Sequence, residues 1–376
     1  MNLPIYFRSR QGEMVGFLKE LTLAESPTGD KKAVDACSAV FLSKCARIGV
    51  KHTRYPQRDR GDFHLLEYPA KTDDRLDGRL LILTHSDTVW PVGRLARMPF
   101  YLQGEKIFGP GVLDMKAGLV LSYFALRALR ELNLPPRRRV ALFINSSEES
   151  GCEEADEIIR AQAKAADRVL CLEPSLPGGA LKTQRKGRCV VRLDVRGIAA
   201  HGGSPDKGVS AIDELLAVLR KIQTLRSADV SVNIGLIGGG EKANIVADAA
   251  FAVCDIRFWT NTQKAKILRF LKALGLASRR AKIRTTIESM TPPMEKTKIS
   301  EAFFREAGAV AAEMGFRLSG GKTGGGSDGS IAAGVGRAVL DGLGPDGNGI
   351  HAAHEHVLLP SLVERAALLT AFLQKL

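Results

Sequence analysis

Residues 80–89 read LLILTHSDTV, an apolar run that ends in His85 and, two residues later, Asp87. Two other runs share this build: 139–145, containing VALFIN, leads to Glu148 and Glu149, and 168–173, RVLCLE, closes on Glu173. Each is short, nearly continuous in apolar residues, and followed by a loop and a helical pattern, as expected of strands buried on both faces of a parallel sheet. The stretch 116–132 shows apolar residues at helical spacing directly after Asp114. Strands alternating with helices predict an α/β fold with a central, mostly parallel sheet flanked by helices. A further strand near 337–340 and a last helix from Pro360 are expected to rejoin that sheet.

Between these parts, 181–290 carries its own alternating strands, LKTQRKGRCVVRLDVRG, VSVNIGLIGGG, DAAFAVCDIRFW and AKIRTTIES, with helical stretches at 208–226 and 263–276. The order strand, helix, strand, strand, helix, strand describes a complete small α+β unit inserted into a larger one. The expected organisation is a first domain part at 1–180, an insert at 181–290 and a second part at 291–376, in keeping with two domains for 376 residues. Charge marks the same insert, which holds +11 of the chain's +13. Such an excess can signal nucleic acid. Here it is dispersed over strands and helices with few interleaved aromatics, which argues against that partner.

Composition narrows the class further. Hydrophobic residues at 45% and charged ones at 25% describe a globular enzyme rather than a disordered or fibrous chain. No uncharged apolar stretch approaches the roughly 20 residues that a bilayer span needs. The first residues show no basic segment followed by an apolar core, and the six cysteines form no C-x-x-C pair. The expectation is a cytoplasmic protein with reduced thiols.

Ligands of open α/β sheets gather at the carboxyl ends of the strands, where His85, Glu148, Glu149 and Glu173 fall. Each has an ordinary alternative: a loop histidine beside a turn aspartate, an N-capping role for Asp114, solvated charge for the glutamate pair. Asp87 is placed to hold the His85 imidazole in one tautomer. The cluster His351, His354, His356 holds three of the chain's seven histidines. Taken together, His85, Asp114, Glu149, Glu173 and His351 make a mixed N/O donor set suited to two Zn²⁺ ions with one bridging carboxylate. Cobalt or manganese would fit the same donors. The segment SGGKT before Gly324 does not keep the G-x-x-x-x-G-K spacing of a phosphate loop and is preceded by a helical pattern, so nucleotide hydrolysis is set aside.

The motifs HSDTV, GVLDMKAG, EESG, LEP, AAHGGSPDKGVSA, NIVAD, GGGSDG and HAAHEHV occur in order along nearly the whole chain. In this the sequence resembles the dinuclear zinc exopeptidases and deacylases that include bacterial glutamate carboxypeptidase, acetylornithine deacetylase, succinyl-diaminopimelate desuccinylase and aminoacylase. The resemblance implies that Asp114 bridges two ions, that His85 and Glu173 complete one site and Glu149 and His351 the other, and that Glu148 is the general base. It selects His351 because Glu355 follows it by four residues. It implies a cis Asp114–Met115 peptide, a lid histidine at His201 that stabilises the oxyanion, carboxylate recognition by Arg257 and Asn244, and a tight glycine turn that lines the cleft through Gly325 and Gly326. Ala247 stands where many relatives carry proline, which touches only local turn geometry.

The implied activity is hydrolysis of the amide bond of a small peptide or N-acyl amino acid, without a covalent intermediate, by a homodimer joined through the insert. A glutamate at position 173 leans this toward a carboxypeptidase or deacylase. The alternatives are an acetylornithine- or diaminopimelate-type biosynthetic deacylase, a nucleic-acid-binding protein, or a non-catalytic relative.

Overall fold

The three apolar runs are adjacent strands of one six-stranded sheet in a computed structural model that describes residues 2–69 and 78–376. β3 (Arg79–His85) pairs in parallel with β6 (Arg139–Asn145) on one side and β7 (Arg168–Cys171) on the other. β14 (Ala338–Leu340) extends the parallel part beside β7, and β2 (Phe63–Glu67) and β1 (Lys51–Tyr55) add an antiparallel edge beyond β6. The sheet is therefore mostly parallel, as the sequence predicts. In β3 every residue after Arg79 is buried, because helices cover both faces.

The chain divides into two compact units, one of Met1–Thr183, Lys296–Lys322 and Ser327–Leu376, the other of Gln184–Glu295 and Thr323–Gly326. In the first, α1 (Leu3–Arg8), α2 (Gln11–Leu23) and α3 (Lys31–Ala46) precede the sheet. They are followed by α4 (Ala117–Glu131), α5 (Glu153–Lys164), α8 (Lys298–Glu313), α9 (Asp328–Gly334) and α10 (Leu359–Lys375). α4 is apolar almost all round and accordingly buried along most of its length, with α10 packed on it. A small antiparallel sheet that periodicity did not reveal joins β4 (Tyr101–Gln103), β5 (Lys106–Phe108), β15 (Gly347–Asn348) and β16 (His356–Leu358). Its strands are two or three residues long, too short to leave a period.

The second unit is a four-stranded antiparallel sheet ordered β10 (Ser231–Gly239), β11 (Ala249–Phe258), β9 (Gly187–Arg196), β12 (Lys282–Thr291). Buried and half-exposed residues alternate along β9 and β11, and their inward residues pack with Leu215, Val218 and Ile222 of α6 (Ala211–Gln223) and Ile267 and Leu271 of α7 (Asn261–Lys272). The run 181–197, expected as one strand, is two. β8 (Leu181–Arg185) pairs with β13 (Gly320–Thr323), and β9 starts after Lys186, whose N–H is taken by Thr323 O.

One buried imidazole in this fold carries a pH signature. His64 on β2 is 5% exposed, and its Nδ1 lies 3.0 Å from Nε2 of His52 on β1. Burial, and then the neighbouring His52, hold its pKa down to about 4. Between that value and the ordinary pKa of about 6.5, the unfolded chain binds a proton that the folded chain refuses, so stability falls as pH falls through this window. The loss expected from this group is roughly 3 kcal/mol by pH 4. Urea midpoints of metal-free wild type and His64→Asn should diverge as pH drops from 7 to 4, the variant losing less. Parallel pH profiles would refute the assignment.

Candidate metal centre

His85 is the last residue of β3 and sits opposite Asn145, the last residue of β6, so both strands release their loops at the same sheet edge. Glu148 and Glu149 follow β6, and Glu173 follows β7 by two residues. Asp114 lies in the turn before α4, where Gly111 adopts φ 72° and the Asp114–Met115 peptide is cis, as the resemblance implies. Gly118 lets α4 approach closely, since a Cβ there would lie 2.6 Å from Leu172 O. The side chain of Asp114 caps no helix, which removes the ordinary reading of that residue. His351 comes from the loop between β15 and β16 with φ 59°, a left-handed conformation uncommon for a residue other than glycine.

The donors converge in two sets. His85 Nε2 lies 3.3 Å from Asp114 Oδ1 and 3.5 Å from Glu173 Oε1. His351 Nε2 lies 3.4 Å from Asp114 Oδ2 and 3.2 Å from Glu149 Oε2. The two oxygens of Asp114 thus face different imidazoles. Glu148 pairs with neither imidazole, although one of its oxygens falls within 4.8 Å of donors on His85 and Glu173. His85 Nε2, Asp114 Oδ1 and Glu149 Oε1 are buried and make no hydrogen bond. Buried polar atoms left this way are costly unless something charged meets them, and an imidazole and carboxylate set of this kind fits divalent cations. The residues present therefore fit a metal site. His354 is exposed, and His356 is buried in β16 beside Phe108, so neither adds to the cluster.

Electrostatics follow from this crowding. Burial, and then the nearby Glu173, push the Glu148 carboxyl well above its ordinary range. Burial likewise raises Glu149. Burial works against ionised Asp114, yet contacts with His351 and His85 hold it low. Hydrogen bonding to Asp114 and then Glu149 lifts His351 to about 10.

The supporting shell was only partly legible. Asp87 was expected to hold the imidazole through its carboxylate. The closer contact to His85 Nδ1 is its main-chain carbonyl at 3.0 Å, while the carboxylate oxygen lies at 3.4 Å. That carboxylate accepts instead from Thr28 Oγ1 and from the N–H groups of Glu148 and Glu149. Glu355, read only as a spacing marker, is buried and accepts from Trp90 Nε1, Gly111 N, Leu113 N and Asp114 N at 2.8–3.1 Å. It fixes the turn that presents Asp114. Lys182, which sequence reasoning missed, is 6% exposed, with Nζ 3.7 Å from Glu173 Oε2. No local pattern marks it, because its partner lies across a loop.

Glu355→Ala should strand four donors, two of them buried and two half-buried. Each unsatisfied donor costs about 1–3 kcal/mol, so a large drop in melting temperature is expected. Metal affinity should fall about 10–100-fold, as when outer partners of ligands are removed. Calorimetry and chelator competition measure the two effects, and wild-type values in both would remove Glu355 from this role.

The second unit holds the remaining predicted residues. His201 is exposed, and its Nδ1 accepts from Gly203 N at 3.0 Å, which leaves the ring proton on Nε2 when the imidazole is neutral. Asn244 is exposed in the loop after β10. Arg257 on β11 is half-buried, with Nε 3.1 Å from Asp255 Oδ1 and Nη1 2.8 Å from Gly324 O. The glycine stretch bends at Gly324, and Arg185 Nη1 donates to the carbonyls of Gly325 and Gly326. Its shape is thus set by two arginines, which the glycines alone do not announce.

A model of the Peptidase family M20/M25/M40 matches residues 81–375. The chain belongs to this family. It is a metal-dependent hydrolase, in accord with its curated relatives. Carboxypeptidase G2 of Pseudomonas sp. (strain RS-16) is 26% identical over 348 residues, covering 91% of this chain and 83% of that protein. Succinyl-diaminopimelate desuccinylase of Delftia acidovorans is 25% identical over 308 residues, covering 75% of this chain and 78% of that protein. Among solved structures, aminopeptidase PepT from Bacillus cereus superposes with a TM-score of 0.80 at 24% identity, covering 97% of this chain and 98% of that one. At that identity the likeness speaks for the fold alone, an M20 fold of mixed α/β build. No described helix is long and apolar enough to cross a membrane.

Proposed function

We propose that the protein is a zinc-dependent carboxypeptidase or N-acyl-amino-acid hydrolase of glutamate-carboxypeptidase type, with cobalt or manganese able to replace zinc. The observation that carries this reading is the division of the Asp114 oxygens between two imidazoles, each with its own carboxylate. In this reading His85 and Glu173 would hold one ion, Glu149 and His351 the other, and Asp114 would be shared. Divalent cations bound there would supply Lewis acidity, which makes a water more acidic and polarises a carbonyl.

The chain's own residues do the rest. Glu148 takes a proton from the attacking water at its carboxylate and delivers it to the departing amide nitrogen. Its neighbour Glu149 serves as a ligand, so adjacent residues divide the roles of base and anchor. His201 donates from Nε2 to the developing oxyanion, an interaction worth several kcal/mol. Arg257 and Asn244 bind the substrate's free carboxylate, and Gly325 and Gly326 line the cleft.

Residues 1–180 and 291–376 form the catalytic domain in this proposal, and 181–290 the lid and dimerisation domain. The edge strand β10 exposes Leu236 and Ile237, and α6 exposes Ile212 and Leu216, which supports a homodimer through this unit. His201 then comes from the lid of a second copy. A cytoplasmic location is part of the same proposal.

The zinc-loaded protein should release glutamate from folyl- and acyl-glutamates with a kcat/KM at least tenfold above that for N-acetylornithine or N-succinyl-diaminopimelate. The near full-length likeness to carboxypeptidase G2 favours this order. The reverse preference selects the biosynthetic deacylase, and hydrolysis of no member of an acyl-amino-acid and dipeptide panel overturns the proposal.

A further inference from the structure

We infer that Asp328 is a positioning residue that aims Glu148 and Glu149 through Asn145. The inference rests on the hydrolase reading above and concerns two side chains to which no role has been given. Asn145 ends β6, and its side-chain carbonyl accepts from Ser147 N at 2.9 Å. Its Nδ2 donates to both oxygens of Asp328, at 3.1 and 3.0 Å. Asp328 is 8% exposed and Asn145 2%.

A terminal amide can be placed either way round, and the partners decide which. Ser147 N–H can only donate, so Asn145 presents Oδ1 to it, and the two oxygens of Asp328 within hydrogen-bond reach of Nδ2 hold the amide that way round. The reversed amide would set carbonyl against carboxylate and NH₂ against N–H, leaving buried groups unpaired on both sides. The next two N–H groups of the same turn, Glu148 and Glu149, donate to the two oxygens of Asp87 at 3.2 Å each. Three consecutive amides are thus held by two side chains, one from the end of β6 and one from the loop after β3. Asp328 enters from α9, a segment far along the chain, and fixes the orientation of the first. It forms no ion pair with either imidazole of the cluster, and its hydrogen bonds reach the turn through Asn145.

The α9 end is itself secured. Ser327 Oγ donates to Asp341 Oδ2 at 2.6 Å, just beyond β14. The carboxylate that orients Asn145 is therefore tied to the parallel sheet from the far side of β7. A turn without this anchor keeps the same residues but loses one of the three amide contacts that set where Glu148 and Glu149 point.

The test uses zinc-loaded wild type, Asp328→Ala, Asp328→Asn, Asn145→Ala and the double variant. Asp328→Ala is expected to lower kcat about 10–100-fold with KM changed less than about threefold, and to weaken zinc binding by chelator competition. Asp328→Asn, whose carbonyl still accepts from Asn145, should recover most of the loss. The double variant should be no slower than Asn145→Ala, and Asp328→Ala should have little further effect in a Glu148→Gln background. Hydrogen exchange at Ser147 N, measured with and without zinc, should accelerate in Asp328→Ala.

Additive losses in the double variant, or unaltered exchange at Ser147, would overturn the inference. If Asp328→Ala does not fold, Asp328→Asn with Asn145→Ala carries the same comparison. A wild type that hydrolyses nothing in the substrate panel sinks the functional proposal, while the exchange and zinc-affinity readouts still decide the role of Asp328.

Discussion

Glu148→Gln should reduce kcat by about two to four orders of magnitude while the protein keeps its metal. The substitution preserves size and removes only the ability to accept and return a proton. Glu148 pairs with neither imidazole, and its main-chain N–H remains free to donate to Asp87. Its side chain sits among Glu173, Asp328 and Glu149, whose charges oppose another carboxylate, so a neutral amide is tolerated there. Metal content by elemental analysis and melting temperature should stay at wild-type levels. A variant with near-normal turnover would remove Glu148 from proton transfer, and a variant that lost its metal would make it a ligand.

Asp114→Asn is expected to abolish activity by the other route, through the metal. The two oxygens of Asp114 face His85 and His351 separately, and an amide offers one oxygen and one NH₂ group that cannot ligate. Whichever way the amide turns, one donor set loses its shared member. Stoichiometry after dialysis should fall to one ion or fewer per chain, and turnover should fall at least as far as in Glu148→Gln. The contact from residue 114 N to Glu355 is main-chain and survives, so the turn itself should hold. Two tightly bound ions in this variant would show that Asp114 does not bridge.

The two substitutions separate the parts of the chemistry. Under the proposed mechanism, one would leave the ions and remove the proton carrier, and the other would leave the carrier and remove what makes water acidic. Acting on one step, they should combine without adding, the double variant being no worse than Asp114→Asn.

Legibility in the sequence followed from how far each pattern reaches along the chain. The parallel core was readable because burial on both faces demands unbroken apolar runs, as in β3 and β6. The ligand candidates were readable because strand ends in such sheets deliver side chains to one edge, as His85 and Glu173 do. The α+β unit showed through the alternation of β9 and β11. The short strands β4, β5, β15 and β16 did not, and they are what carries His351 and Glu355.

Sequence alone therefore determined the class of fold and the candidate donors at the strand ends, because residue type and periodicity are local properties. Tertiary structure decided which oxygen of Asp114 meets which imidazole, that Glu355 holds the Asp114 turn, and that Asn145 and Asp328 share a buried hydrogen bond. Except for His85 with Asp114, those contacts join residues 183, 237 or 241 positions apart, and their partners are chosen by the packing of the sheet and its loops rather than by anything written beside them in the chain.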